Sequence, residues 1–203
     1  MKIICIGRNY SEHAKELNNA VPTAPVVFMK PATALLKDDK PFFHPEFSKD
    51  IHYETEIVLK IGKNGKYIAP KFASGYISAV TVGLDFTARD LQQQQKEKGL
   101  PWEIAKAFDG SAVIGRFLPV EEVPNMTAIA FSMQKNKVQV QAGNTADVLF
   151  DFSSIISYVS QFFTLQQGDL IYTGTPVGVG KINIGDVLEG YIGEQHLFTC
   201  EIK

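Results

Sequence analysis

A mainly β fold with a few short helices, in a single domain, is the class this sequence predicts. Two observations carry the prediction. Short runs rich in Val, Ile, Tyr, Phe and Thr recur along the chain, each stopped by Gly, Pro or Asn. No internal repeat, low-complexity linker or shift in composition divides the 203 residues, and 45% hydrophobic content is enough for one sizeable core.

The elements follow in order. Residues 1–7 form an apolar strand ending in Gly7. Ser11 to Leu17 predicts a short helix with Ser11 at the N-cap. Residues 21–25 are irregular, and Val26 to Lys30 is a brief strand stopped by Pro31. After an extended stretch rich in Pro and Phe comes Ile51 to Ile61. There Tyr53, Thr55, Ile57, Val58 and Ile61 predict one continuous strand, closed by a turn at residues 62–65. Residues 76–86 predict a second apolar strand, and residues 88–98 a polar helix stopped at Gly99. In the second half, strands at 129–134, 137–140, 170–173, 187–192 and 196–202 surround one helix over 151–163. Turns are expected at Asn136 and at Gly143-Asn144.

Charge and composition exclude several classes. The net charge of −2 comes with no basic patch for nucleic acid and no acidic interaction arm. No apolar run approaches the ~20 residues needed to span a bilayer. Met1 leads straight into Lys2-Ile3-Ile4-Cys5-Ile6-Gly7, which lacks the length and small-residue cleavage site of a signal peptide; the expectation is a cytoplasmic protein. Cys5 and Cys200 sit in apolar stretches at opposite ends and are expected as buried thiols.

The chemistry centres on Glu54 and Glu56. On a strand, residues i and i+2 share a face, with Cα atoms roughly 6.5–7 Å apart. Two converging carboxylates repel unless a positive charge lies between them, and a hard divalent cation such as Mg2+ or Mn2+ prefers such oxygen ligands. The plain alternative is a solvated strand face. Asp85 ends the apolar run Ala79–Leu84, where an unpaired carboxylate is expensive. It is either a third ligand or the cap of the following helix. His13 and Glu16 lie three apart on a helix, so a carboxylate can fix the imidazole tautomer and raise its basicity for deprotonating water. The alternative is a surface pair. Lys106, among apolar neighbours, either faces a substrate anion or snorkels to solvent, and Lys30 has the same two readings. Thr173-Gly174-Thr175-Pro176-Val177-Gly178-Val179-Gly180 is a glycine-rich loop that either brings backbone N–H groups to an anion or is a plain turn.

In order along the chain, these blocks resemble the fumarylacetoacetate hydrolase family, and within it the small branch of acylpyruvate hydrolases and oxaloacetate decarboxylases. The likeness is carried by Gly7-Arg8-Asn9-Tyr10 with His13, Phe28-Met29-Lys30-Pro31, His52-Tyr53-Glu54-Thr55-Glu56, and Gly83 through Asp90. It continues in Gly99-Leu100-Pro101-Trp102 with Lys106 and Phe108, and in Gly168-Asp169 with Thr173 through Gly180. The resemblance implies a curled β-structure and a homodimer. It implies that Glu54, Glu56 and Asp85 hold Mg2+ or Mn2+. Arg8, Gln92, Lys106 and Thr175 would hold a small 2-oxo acid substrate, and His13 with Glu16 would activate water. The implied activity is cleavage of the carbon–carbon bond of acylpyruvates, with oxaloacetate decarboxylation beside it. Alternatives are isomerisation or tautomerisation of a 2-oxo acid, and metal-dependent binding without turnover.

Overall fold

The computed structural model describes residues 1–16 and 20–203. Its largest sheet has eight strands. Seven run in the order Val26–Lys30, Ile3–Gly7, Leu170–Tyr172, Thr55–Ile61, Ile77–Asp85, Ala112–Ile114 and Leu35–Leu36, and Leu118–Pro119 also pairs with Ile77–Asp85. Ile3–Gly7 lies parallel to Leu170–Tyr172, and Leu35–Leu36 parallel to Ala112–Ile114; the other pairings are antiparallel. Thr55–Ile61 and Ile77–Asp85 are buried along almost their whole lengths because both faces of the sheet are covered. Ile57, Leu59, Val80, Val82 and Leu84 fill the larger core, while Val58 joins Ile3, Cys5, Ala112 and Tyr172 on the opposite side.

A second sheet is an antiparallel set in the order Val138–Asn144, Ala130–Lys135, Val187–Ile192 and Gln195–Glu201. A third, small one joins Gly180–Lys181, Ile51–Tyr53 and Thr87–Ala88. The helix Phe152–Phe162 is capped by Asp151, whose side chain accepts the Ser154 N–H at 2.7 Å, and it buries Phe152, Ile155, Ile156 and Val159. Arg89–Lys98 ends at Gly99 in the left-handed conformation, φ 63°, which glycine adopts without penalty. Cys5 and Cys200 are free and buried. Among the described residues no helix is long and apolar enough to cross a membrane.

Three expectations are corrected. The Ile51 to Ile61 strand is broken at Glu54 into Ile51–Tyr53 and Thr55–Ile61, which belong to different sheets. At the break the Glu54 carbonyl accepts the Asp85 N–H at 2.8 Å, and the Thr55 N–H is taken by the side chain of Gln141 at 2.9 Å. Gly143-Asn144 is not a turn but the end of Val138–Asn144, paired with Ala130 and Phe131. A Cβ on Gly143 would lie 2.8 Å from the Phe131 ring and 2.9 Å from Pro176, so the glycine serves close approach rather than chain reversal. Asp85 caps no helix: Arg89–Lys98 has Ala88 at its N-cap with no side-chain bond. The expected Asn136 turn is present, with Asn136 and Lys137 at φ 54° and 68° joining two strands as a tight hairpin. The helix expected over Ser11 to Leu17 runs through Ser11–Glu16, and Leu17 lies outside the described residues.

Candidate metal centre

The break at Glu54 and the end of the Ile77–Asp85 strand meet, and this builds the site. Carboxylate oxygens of Glu54, Glu56 and Asp85 all lie within 4.8 Å of one another, and all three residues are buried. Three buried anions would be untenable alone, since each costs several kcal/mol to desolvate. Three buried or half-buried cations balance them. Lys106 Nζ donates to Glu54 Oε2 at 2.7 Å and to Asp85 Oδ2 at 2.8 Å. Arg89 Nη2 donates to Glu54 Oε1 at 2.6 Å. Lys30 Nζ lies 2.7 Å from Asp85 Oδ1 and donates to the carbonyls of Phe86, Lys106 and Ser111 and to the Ser111 hydroxyl. Both lysines are buried, so neither is the snorkelling surface residue of the plain reading.

Asp85 Oδ1 is buried and accepts no hydrogen bond among the described residues, its contact being the ion pair with Lys30 at 2.7 Å. Among the described residues Glu56 accepts one hydrogen bond, from the Gly174 N–H to Oε2 at 2.6 Å. An all-oxygen set of three carboxylates fits a hard divalent ion such as Mg2+ or Mn2+.

The electrostatics separate the two glutamates. Burial pushes Glu54 up, but Lys106 and Arg89 outweigh it and hold its carboxyl below the usual range, so it stays ionised. Burial, then the charges of Asp85 and Glu54, push Glu56 well above the usual range. The sign of the resulting pH effect follows. Between the ordinary and the raised value the metal-free fold holds one more proton than the unfolded chain, so this group makes the fold more stable as pH falls and less stable as pH rises. A cation bound at Glu56 displaces that proton. Mn2+ affinity is therefore expected to drop by up to about tenfold per unit of falling pH through this window. Mn2+ titration followed by electron paramagnetic resonance at a series of pH values checks this, and a flat affinity across that window contradicts it.

The other expected residues are distributed around this centre. His13 is buried, and its Nδ1 lies 2.9 Å from Glu16 Oε2. Glu16 Oε1 accepts the Gly178 N–H at 3.1 Å, which ties the short helix to the glycine-rich loop. Gln92 is buried on Arg89–Lys98, and its Oε1 accepts from Arg89 Nη1 at 2.8 Å, steadying the guanidinium that pairs with Glu54. Arg8 has a left-handed backbone, φ 58°, in the turn after Ile3–Gly7, a conformation costing on the order of 1–3 kcal/mol for a non-glycine residue. After burial, Arg8 is the main charge holding Lys96 below its ordinary value, which places Arg8 towards the same helix. Thr175 is buried beside Gly174, and the Asn9 side chain anchors this loop by donating to the Thr173 carbonyl at 2.8 Å. Gly174 has φ 102°, and a Cβ there would lie 2.6 Å from Asn9, so only glycine lets its N–H reach Glu56.

Sequence reasoning assigned no role to Arg89 or Gln141 and left Lys30 undecided. Arg89 lies four residues beyond Asp85 at a helix start, a faint signal. Gln141 offers none, since it bonds Thr55, 86 residues away. Beside Lys106 a cavity of about 290 Å³ opens between Val26–Met29 and Leu100–Glu103. A cavity of about 350 Å³ near Ile77, Val120 and Phe152 includes none of these residues.

Residues 2–202 match the family model described as fumarylacetoacetate (FAA) hydrolase C-terminal. The chain is 43% identical over 188 residues to the mitochondrial oxaloacetate tautomerase fahd-1 of Caenorhabditis elegans, covering 93% of this chain and 88% of the relative. It is 41% identical over 189 residues to a mitochondrial oxaloacetate decarboxylase of Dictyostelium discoideum, covering 93% and 87%. Among solved structures, fumarylpyruvate hydrolase from Pseudomonas aeruginosa, in complex with Mn2+ and pyruvate, superposes with a TM-score of 0.93 at 36% identity, covering 100% of this chain and 89% of that one.

Proposed function

This chain belongs to the fumarylacetoacetate hydrolase family, and we propose that within it the protein is a divalent-metal-dependent enzyme of small 2-oxo acids. Its main reaction in this reading is keto–enol tautomerisation of oxaloacetate. The observation that carries the reading is the cluster of Glu54, Glu56 and Asp85 closed by Lys106 and Arg89. The relatives that tautomerise or decarboxylate oxaloacetate move tautomerisation ahead of the acylpyruvate hydrolysis expected first from the sequence.

Glu54, Glu56 and Asp85 would hold Mg2+ or Mn2+, which when bound supplies Lewis-acid polarisation of the 2-oxo group. Lys106, paired with Asp85 and Glu54, offsets carboxylate charge that would otherwise repel a substrate anion; burial alone would lower its pKa, but the two carboxylates raise it. His13, oriented by Glu16, takes the C3 proton of the oxo acid, and a proton returns to the C2 oxygen to give the enol. Arg8, Gln92 and Thr175 hold the carboxylate end.

A second reading is supported by the same His13–Glu16 pair. A base that removes a carbon-bound proton can also activate water for attack on the distal carbonyl of an acylpyruvate, releasing pyruvate and a carboxylic acid. The test is a steady-state comparison of oxaloacetate tautomerisation, oxaloacetate decarboxylation and acetylpyruvate hydrolysis with Mg2+ or Mn2+, and with EDTA as control. EDTA-sensitive tautomerisation, faster than the other two, is the expected result. Predominant pyruvate release from acetylpyruvate favours the hydrolase reading, and no metal-dependent turnover overturns both.

A further inference from the structure

Gln141 is buried and uses both ends of its side chain. Its Oε1 accepts the Thr55 N–H at 2.9 Å, and its Nε2 donates to Thr175 Oγ1 at 3.0 Å and to the Pro176 carbonyl at 3.1 Å. The direction of this chain is dictated. The Thr55 N–H can only donate, so the amide oxygen must face it and the NH2 must face Thr175. Thr175 therefore receives a hydrogen bond from Gln141 and keeps its own proton. Among the described residues, the acceptor within reach of that proton is the Pro176 carbonyl, at the outer limit of 3.5 Å and already bonded to Gln141. Thr55 stands between Glu54 and Glu56, so the same amide ties the backbone between the two carboxylates to the glycine-rich loop.

We propose that Gln141 is a positioning residue that fixes Thr175 as a hydrogen-bond donor to the substrate carboxylate. The inference rests on the proposed role of Thr175 in holding the 2-oxo acid. It assigns to Gln141, on a different sheet from Glu56 and Asp85, the polarity of one substrate contact.

The test reverses that polarity. In Gln141→Glu, one carboxylate oxygen still accepts the Thr55 N–H, while the other accepts the Thr175 hydroxyl and withdraws its proton. Pyruvate binding to the Mn2+-loaded protein is measured by calorimetry for wild type, Q141E, T175V and the double variant, with Mn2+ affinity measured separately by electron paramagnetic resonance. The expected result is a loss of roughly tenfold or more in pyruvate affinity for each single variant, the size of one lost hydrogen bond to a charged group. The double variant should lose no more than either single one, and Mn2+ affinity should not weaken. Gln141→Met, which removes both polar ends at similar volume, should weaken pyruvate by a smaller factor with the same lack of additivity, and it serves if Q141E does not fold. Losses that add in the double variant, or a loss in T175V with none in Q141E and Q141M, overturn the role of Gln141. Unchanged pyruvate affinity in T175V instead overturns the reading of Thr175 on which the inference rests.

Discussion

Glu56→Gln is expected to leave the protein folded while abolishing metal-dependent turnover. The amide keeps an oxygen for the Gly174 N–H, so the loop contact survives. The negative charge is lost, and with it the repulsion from Asp85 and Glu54 that pushes Glu56 up. The metal-free variant should therefore melt at or above the temperature of the metal-free wild type at neutral pH. In the proposed reading the cation would lose one of three anionic ligands, and Lewis-acid polarisation lowers the barrier by several kcal/mol. A loss of about 10³-fold or more in kcat/KM follows. The stabilisation that wild type gains from Mn2+ in a melting experiment should shrink towards zero. Melting curves with and without Mn2+, alongside rates for oxaloacetate and acetylpyruvate, check both halves. A variant that is still stabilised by Mn2+ as fully as wild type would remove Glu56 from the ligand set.

His13→Ala has the next largest expected effect, and it divides the reactions. Tautomerisation needs a proton taken from carbon, and hydrolysis needs one taken from water. Each should fall by roughly 10²–10⁴, the usual contribution of a positioned base. Decarboxylation of oxaloacetate needs only an electron sink once CO2 departs, so it should stay within about tenfold of wild type. Mn2+ affinity should also be retained, because His13 bonds Glu16 rather than a carboxylate of the cluster. Parallel assays of the three reactions on one preparation provide the measurement. Equal loss of all three would contradict this division of labour and indicate that His13 supports the site as a whole.

Much of the site was legible because its parts are encoded locally. Glu54 and Glu56 are separated by one residue, Asp85 closes a buried apolar run, and His13 and Glu16 are a helical turn apart. Each pattern is a neighbour relation that strand or helix periodicity can carry. The curled β-structure was expected from the family resemblance rather than from periodicity, and the superposition on the Pseudomonas enzyme agrees with it. The Gly143-Asn144 turn failed because glycine carries two messages, chain reversal and close approach. Only the neighbouring Phe131 and Pro176 reveal which applies.

By itself, the sequence determined the three carboxylates, the His13–Glu16 pair, the order of most strands along the chain and the Asn136 hairpin. The tertiary structure alone decided what neutralises and aims these groups. Lys106 and Arg89 meet Glu54 across 52 and 35 residues, and Gly174 meets Glu56 across 118. It also decided that the strand breaks at Glu54, where Asp85 and Gln141 take the backbone groups that a continuous ladder would have used. The physical reason is that propensity and periodicity describe a residue's immediate neighbours. The stability of a buried charge depends instead on opposite charges and donors that only sheet pairing brings within 3 Å.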